Sequence, residues 1–327
     1  MTETVNQYNL NKHLLLDWDI PDPSADLILW HEGYKAATNS TSKLFNDQEW
    51  EKYTDSIINF ANHNDFKAIG ISIVFADDNS TLPVNGVDWI NKFIAKAEPN
   101  FKIGIDIGYQ SGKKPINDTK KFQAMAETLS EIKSKEPLII GLDGEQKVVA
   151  DNALEFTNKF KTALTDAGVK IDEFVILSQM KPKANWEGNL LNGFEFYSQK
   201  KKGTQKKSLN HLYNQYANKP IKAFQEFNDL VESGQTIAKA SDLPGPGTAP
   251  VFAISRSDDN CLGGKLASES KLNKCGITDI FGQWRWDKFE DFLGLYTAHY
   301  PTTDKIFIFQ GEQLPCDWLT EAPKCAC

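Results

Sequence analysis

The 327-residue chain lacks several features that would name a class of protein at once. No run approaches the roughly 18 apolar residues that a membrane-spanning helix needs, and residues 1–12 are too polar for an uncleaved signal peptide. Positive charge is in short supply, since 36 Lys and Arg stand against 44 Asp and Glu, a net charge of −8. We therefore expect neither nucleic acid, which basic surfaces recognise, nor membrane insertion.

Histidine and cysteine are also scarce, and their positions argue against most metal and nucleophile chemistry. The five histidines are scattered, no pair has the spacing of zinc ligands, and no G-x-S-x-G elbow is present. All five cysteines lie in the last quarter of the chain. Cys261–Cys275 and Cys316–Cys325 would each close a short loop if oxidised, with Cys327 left over. We expect no cofactor and no metal, while the cysteines leave cytoplasmic and secreted locations equally open.

What the chain does contain is a long alternation of β-rich and helical segments. Such alternation predicts parallel βαβ units, and eight strands in about 300 residues is the number found in a (β/α)8 TIM barrel. The competing fold, an open doubly wound sheet, has less support because no G-x-G-x-x-G or Walker loop follows an early strand. The eight predicted strands are 27–30, 68–75, 102–109, 137–142, 173–177, 251–255, 277–281 and 305–309.

The region 181–250 interrupts this rhythm. It spans about 70 residues, where an ordinary βα connection needs far fewer, and it carries K-K-K at 200–202 and a Pro- and Gly-rich loop at 243–250. We interpret it as an elaborated β5–α5 connection, with one or two helices, that projects from the barrel rim. The expected organisation is a single α/β barrel domain over 1–327 with this insertion.

The most informative segment is L-I-I-G-L-D-G-E-Q at 138–146. A buried strand ends there in Asp143 and Glu145, and their i, i+2 spacing places both carboxyl groups on one face. Barrel enzymes carry their sites at the carboxyl ends of the strands, and the neighbouring third strand contains Asp106. Glycoside hydrolysis uses a protonated acid and a second group that stabilises the oxocarbenium ion. Because clustered carboxylates raise one another's pKa, Glu145 is the predicted general acid, with Asp143 and Asp106 assisting.

Other strand ends complete an acidic, aromatic-edged rim of the kind that suits sugars. Amides and carboxylates bind vicinal hydroxyl groups, and aromatic rings stack on the faces of pyranoses. The predicted substrate-binding residues are Glu32, Tyr109, Gln179, Gln283 and Trp284. The expected partner is a carbohydrate or another polar small molecule.

The fourth strand resembles that of the family 18 glycoside hydrolases, the chitinase group. Strand four of those barrels ends in D-G-x-D-x-D-x-E, which implies Glu145 as the acid and Asp143 as the residue that orients the acetamido group of the substrate. Gly141 and Leu138 stand where that family has its other two aspartates. The segments D-I-F-G-Q-W at 279–284 and D-K-I-F-I-F-Q-G at 304–311 are similar in character to late strands of plant-type chitinases. The resemblance extends to members that keep the barrel and lose catalysis.

Two other functions stay open. One is a catalytically silent barrel that binds a glycan or a protein, with 181–250 as the surface for a protein partner. The other is a phosphodiesterase that uses His31 next to Glu32, since a histidine held by a carboxylate can act as a base.

Overall fold

The computed structural model describes residues 20–31, 47–75, 86–109, 119–143, 153–178, 190–195, 219–232, 248–253 and 286–309. These ranges contain eight β-strands. The strands are β1 (Asp26–His31), β2 (Ala68–Phe75), β3 (Lys102–Tyr109), β4 (Leu138–Asp143), β5 (Ile171–Ser178), β6 (Leu190–Glu195), β7 (Thr248–Ala253) and β8 (Lys305–Phe309).

Each of these strands runs parallel to the strands beside it. Consecutive strands pair from β1 through to β8, and β8 pairs in turn with β1, so that the curled sheet closes on itself. The register of β1 and β8 sets Asp26 against Lys305 and Leu29 against Ile308. Closure leaves none of the described strands with an unpaired edge. The prediction of a parallel α/β barrel is confirmed at this level.

Helices connect most of the consecutive strands, as parallel pairing requires. They are α1 (Asp47–His63), α2 (Gly86–Ala97), α3 (Thr119–Ser130), α4 (Ala153–Asp166), α5 (Pro220–Glu232) and α6 (Trp286–His299). A buried stripe at steps of three and four residues, Ile90, Phe93, Ile94 and Ala97, sets the inner face of α2. Between β5 and β6 the described ranges contain no helix, since residues 179–189 fall outside them.

The strands are buried on both faces, which gives the protein two layers of core. In β2, Ile69, Ile71 and Ile73 belong to the larger layer, between the sheet and the helices. Ala68 alternates with them and belongs to a smaller cluster inside the barrel. This double burial explains why the strands read as nearly continuous apolar runs.

Aromatic rings dominate one sector of the outer layer. Phe252 on β7 lies 5.6 Å from Phe292 and 5.5 Å from Tyr296 between ring centroids, both at nearly perpendicular angles. Edge-to-face contacts of this kind add about 0.5–1.5 kcal/mol each beyond the area that they bury. They hold α6 against the wall of the barrel.

The structure corrects the predicted order of the late strands. β6 lies inside the range 181–250, which was expected to be an elaborated loop, and it pairs with β5 on one side and β7 on the other. β7 pairs directly with β8, so the predicted strand 277–281, itself outside the described residues, has no place between them. β6 reads L-L-N-G-F-E, and its Asn and Gly weaken the sequence signal of a strand. The extent of one domain over 1–327 stays a prediction.

Candidate functional site

Glycines on adjacent strands make room for one indole inside the barrel. Trp30 on β1 is only 1% exposed. A β-carbon on Gly70 of β2 would stand 2.5 Å from Cδ2 of its ring, and one on Gly104 of β3 would stand 3.0 Å from Cη2. The face of the indole therefore lies directly on the backbone of both strands, a close approach that glycine permits. Phe307 of β8 packs against the same indole, with 5.6 Å between ring centroids.

Asp106 lies in the interior beside this indole. It is 4% exposed, and its partner in the register between β3 and β4 is Gly141. A β-carbon on Gly141 would stand 3.0 Å from Oδ1 of Asp106 and 3.0 Å from Cζ2 of Trp30. The carboxyl group, the indole and the backbone of β4 thus converge on one point. Burial of a carboxyl group carries a large desolvation cost, and such groups concentrate at functional sites.

The indole also brings a hydrogen-bond donor to this point. Nε1 of Trp30 is buried and has no hydrogen-bond partner within the part of the chain that the structure describes. Nε1 and Cζ2 are both bonded to Cε2, so the N–H group belongs to the edge of the ring that approaches Asp106. Buried polar atoms usually have a partner, and a donor held in this way can serve a polar group that enters the site.

Three of the predicted site residues lie on the described strands. Asp106 is in β3, Tyr109 is the last residue of β3 with Phe75 as its register partner, and Asp143 is the last residue of β4 with Leu177 as its register partner. Their backbones therefore lie on two adjacent strands near the carboxyl ends. The predicted residues outside the described ranges are Glu145, Glu32, Gln179, Gln283 and Trp284.

His31, the candidate base of a phosphodiesterase, is the last residue of β1 and has Ile71 as its register partner. Glu32 falls outside the described residues. The pairing of His31 with Glu32 therefore stays a prediction.

Sequence reasoning missed the row of glycines and its indole. The signal is a short pattern repeated on consecutive strands: I-G-I-S at 69–72, I-G-I-D at 103–106 and I-G-L-D at 140–143. In each case a polar residue follows the glycine by two positions and therefore shares its face of the sheet. The role of Trp30 becomes visible only when the register of four strands is known.

A cavity of about 470 Å³ lies at the opposite end of the barrel, where the strands begin. Two ion pairs lie on its wall, each joining strands that are not neighbours in the ring. Nζ of Lys102 is 2.8 Å from Oδ2 of Asp172, and Nζ of Lys305 is 3.0 Å from Oε1 of Glu173. The hydrogen bond to Asp172 raises the pKa of Lys102.

We assign this cavity to stability, because conserved chemistry in barrels belongs to the carboxyl ends of the strands and the opposite face supports the fold. The charges around it also cancel. The lining residues are Asp26, Ile28, Lys67, Ala68, Lys102, Ile139, Asp172, Glu173 and Lys305. Three lysines thus face three carboxylates, which leaves no excess of one sign to attract a charged ligand.

Within the described ranges, no group of three or more His, Cys, Asp or Glu residues is arranged to hold a metal ion. None of the helices found there is both long enough and apolar enough to cross a membrane.

Comparisons with known proteins give no family. No protein-family profile matches the chain, and no curated protein matches it. Solved structures with partial likeness include concanavalin B, at 10% identity over 89% of this chain and 94% of that one, with a TM-score of 0.41. Cel5A from Thermotoga maritima, solved with cellobiose, has 10% identity over 87% and 89% of the two chains and a TM-score of 0.46.

N-acetylneuraminate lyase (sialic acid aldolase) from Aliivibrio salmonicida is a third such structure. It has 13% identity over 76% of this chain and 68% of that one, with a TM-score of 0.36. Likeness at this level carries no argument about the activity of the present protein.

Proposed function

We propose that the protein is a carbohydrate-active hydrolase of the glycosidase type, built on a complete (β/α)8 TIM barrel. Its site would lie at the carboxyl ends of β3 and β4. The observation that carries the proposal is the carboxyl group of Asp106, 4% exposed inside the barrel and paired in register with Gly141. Gly141 precedes Asp143 by two residues and Glu145 by four, and continued strand alternation would place the three acids on one wall.

The proposed chemistry gives these acids different roles. Glu145, the furthest along the chain from the buried wall, would protonate the leaving oxygen of the glycoside. Asp143 and Asp106 would stabilise the positive charge that develops on the sugar ring, as negatively charged groups held beside it do. Water then adds to the anomeric carbon and gives up a proton to the Glu145 carboxylate, which restores the acid. Enzymes commonly separate the protonation of paired carboxyl groups in this way.

The remaining rim residues would bind the sugar. Tyr109 at the end of β3 would stack on a pyranose face. The residues proposed to hold its hydroxyl groups, or to stack beside it, are Glu32, Gln179, Gln283 and Trp284. A polar small molecule is the proposed substrate class, and those parts of 181–250 that do not form β6 or α5 would offer a surface for a protein partner.

Replacement of the proposed acid tests the assignment. Glu145→Gln should lower kcat on a responsive glycan or aryl glycoside by about 10²–10⁴-fold, the usual contribution of a positioned acid or base. Glu127→Gln, at an exposed position on α3, is the matched control and should leave kcat unchanged. Equal activity of Glu145→Gln and the native protein would remove the enzyme assignment from this site. Failure of the native protein to turn over any member of a broad panel would favour the catalytically silent barrel.

A further inference from the structure

The indole of Trp30 reaches from β1 across three neighbouring strands, and the glycines beneath it define its orientation. Of the ring atoms, Cδ2 lies nearest the β-carbon position of Gly70, Cη2 nearest that of Gly104 and Cζ2 nearest that of Gly141. The register pairs Gly70 with Gly104 and Gly104 with Ile139, so Gly141 is two residues nearer the carboxyl ends of the strands. The edge of the ring that carries Cζ2 therefore faces the carboxyl end of the barrel.

The indole N–H group belongs to that same edge, because Nε1 and Cζ2 are both bonded to Cε2. Nε1 of Trp30 is buried and has no hydrogen-bond partner in the part of the chain that the structure describes. An indole nitrogen can only donate, and buried polar atoms nearly always have a protein group or an ordered water as a partner. We therefore expect a hydrogen-bond acceptor at this edge of the ring.

Asp106 brings acceptor atoms to the same place. It is the only buried acid among the strand residues whose burial the structure describes. Oδ1 of Asp106 and Cζ2 of Trp30 are each 3.0 Å from the β-carbon position of Gly141. These two atoms are thus at most about 6 Å apart, a gap that a single water can bridge where no direct hydrogen bond forms.

We infer that one water molecule is bound between the indole N–H group of Trp30 and the carboxyl group of Asp106. The water accepts a hydrogen bond from Nε1 and donates one to a carboxyl oxygen. An ionised carboxyl group has about four acceptor positions, so the water needs only one of them and leaves the others to further partners of Asp106. The bridge joins β1 to β3, which do not pair with each other. This inference goes beyond the proposed function and does not depend on it.

The surroundings of this water should make it long-lived. Trp30 is 1% exposed and Asp106 is 4% exposed, so neither side chain opens the position to bulk solvent. Gly141 has no side chain that could separate the two groups. Internal waters of this kind satisfy buried polar groups that the chain itself does not pair.

Nuclear magnetic resonance can detect the water without any substrate. In protein labelled with ¹⁵N at tryptophan, the eight tryptophans give eight indole N–H signals, and Trp30→Phe identifies the signal of Trp30. That signal should show cross-peaks to the water resonance, with the NOE and the ROE of opposite sign. This sign pattern is given by a water that stays bound for longer than the tumbling time of the protein.

Two substitutions of Asp106 test its part in holding the water. Asp106→Asn keeps an acceptor oxygen and removes any exchangeable carboxyl proton, so the cross-peaks should persist. Asp106→Leu has a similar shape and no acceptor, so the cross-peaks should be lost. Asp88→Leu, at an exposed position on α2, is the matched control and should leave them unchanged.

The inference would be overturned by a native protein without these cross-peaks. Loss of the cross-peaks in Asp106→Asn would overturn it too, because they would then arise from a carboxyl proton, and so would their survival in Asp106→Leu. If the variants do not fold, a crystal structure of the native protein decides. Ordered solvent density within hydrogen-bond distance of both Nε1 and a carboxyl oxygen of Asp106 is expected, and the absence of such density would contradict the inference. None of these results changes the proposed function, which depends on the loss of kcat in Glu145→Gln.

Discussion

Glu290 on α6 is a residue whose ionisation works against the folded state. Burial is the largest cause that raises its pKa to about 7 from an ordinary 4.5, and the nearby carboxylates of Asp22, Asp291, Asp65 and Asp287 add to it. These acids come from three separate parts of the chain: the segment before β1, the turn after α1 and α6 itself. The fold brings these like charges together, and their repulsion adds to burial in favouring the protonated form of Glu290.

The pH dependence of stability follows from this shift. A raised pKa means that the folded state binds the proton more tightly than the unfolded state, so the free energy of unfolding should fall as the pH rises from about 4.5 to about 7. Glu290→Gln removes the charge. We expect it to increase the free energy of unfolding at pH 8 by about 1–2 kcal/mol, after discounting for partial exposure, and to change little at pH 4.

Urea denaturation of the native protein and the variant at both pH values measures this effect. Glu127→Gln on α3 is the control, because it removes a carboxylate at an exposed position and should not alter the pH dependence of the free energy of unfolding. Equal stability of Glu290→Gln and the native protein at pH 8 would show that neither burial nor the acidic neighbours raise the pKa of Glu290 in solution.

At the scale of elements, each of the two ion pairs near the starts of the strands joins two strands that do not pair with each other through backbone hydrogen bonds. Lys305 on β8 and Glu173 on β5 are not neighbours in the ring, and their side chains are 26% and 20% exposed. An ion pair with this limited exposure should contribute more to the free energy of unfolding than an ion pair on an open helix surface. Lys159 and Glu155, an i, i+4 pair on α4 with exposures of 37% and 54%, provides the comparison.

Double-mutant cycles separate these contributions. We expect a coupling energy of about 1 kcal/mol between Lys305→Met and Glu173→Gln, near the upper end for partly exposed pairs. The Lys159→Met and Glu155→Gln pair should couple by about 0.3–0.5 kcal/mol, as helix pairs do. High salt should weaken the second coupling more than the first. Equal coupling in the two cycles would show that the lower exposure of the pair across the barrel does not strengthen it.

The elements also show how far sequence reasoning extends. β2, β3 and β8 have the predicted bounds, and β1, β4 and β5 differ by one or two residues, because Ile- and Leu-rich runs buried on both faces have no other stable arrangement. β6 was missed because Asn192 and Gly193 dilute a six-residue strand. Its place is decided by pairing with β5 and β7, which no local pattern specifies.

The candidate site likewise has one part that could be predicted from the sequence and one part that could not. The acids of β3 and β4 could be selected from the sequence because strand alternation and the carboxyl-end rule are local and general. The contact of Asp106 with the space beside Gly141 could not, since it depends on register between strands that are about 35 residues apart. Trp30 is further still along the chain from Gly141, and only the closed ring brings the two together.

At the scale of the whole molecule, closure gives the barrel two unlike ends. The starts of the strands carry three lysines and three carboxylates around a cavity of about 470 Å³. Toward the carboxyl ends lie an indole on a row of glycines and a buried carboxyl group. We propose that the first end serves stability and the second binds the ligand.

A crystal structure of the protein soaked with a glycan on which it shows activity tests this assignment most directly. We predict sugar density at the carboxyl ends of β3 and β4, with hydroxyl or glycosidic oxygens within hydrogen-bond distance of the Asp143 and Glu145 carboxyl groups. Density confined to the other end, among Lys67, Lys102 and Lys305, would contradict it and would place the binding site where the strands begin.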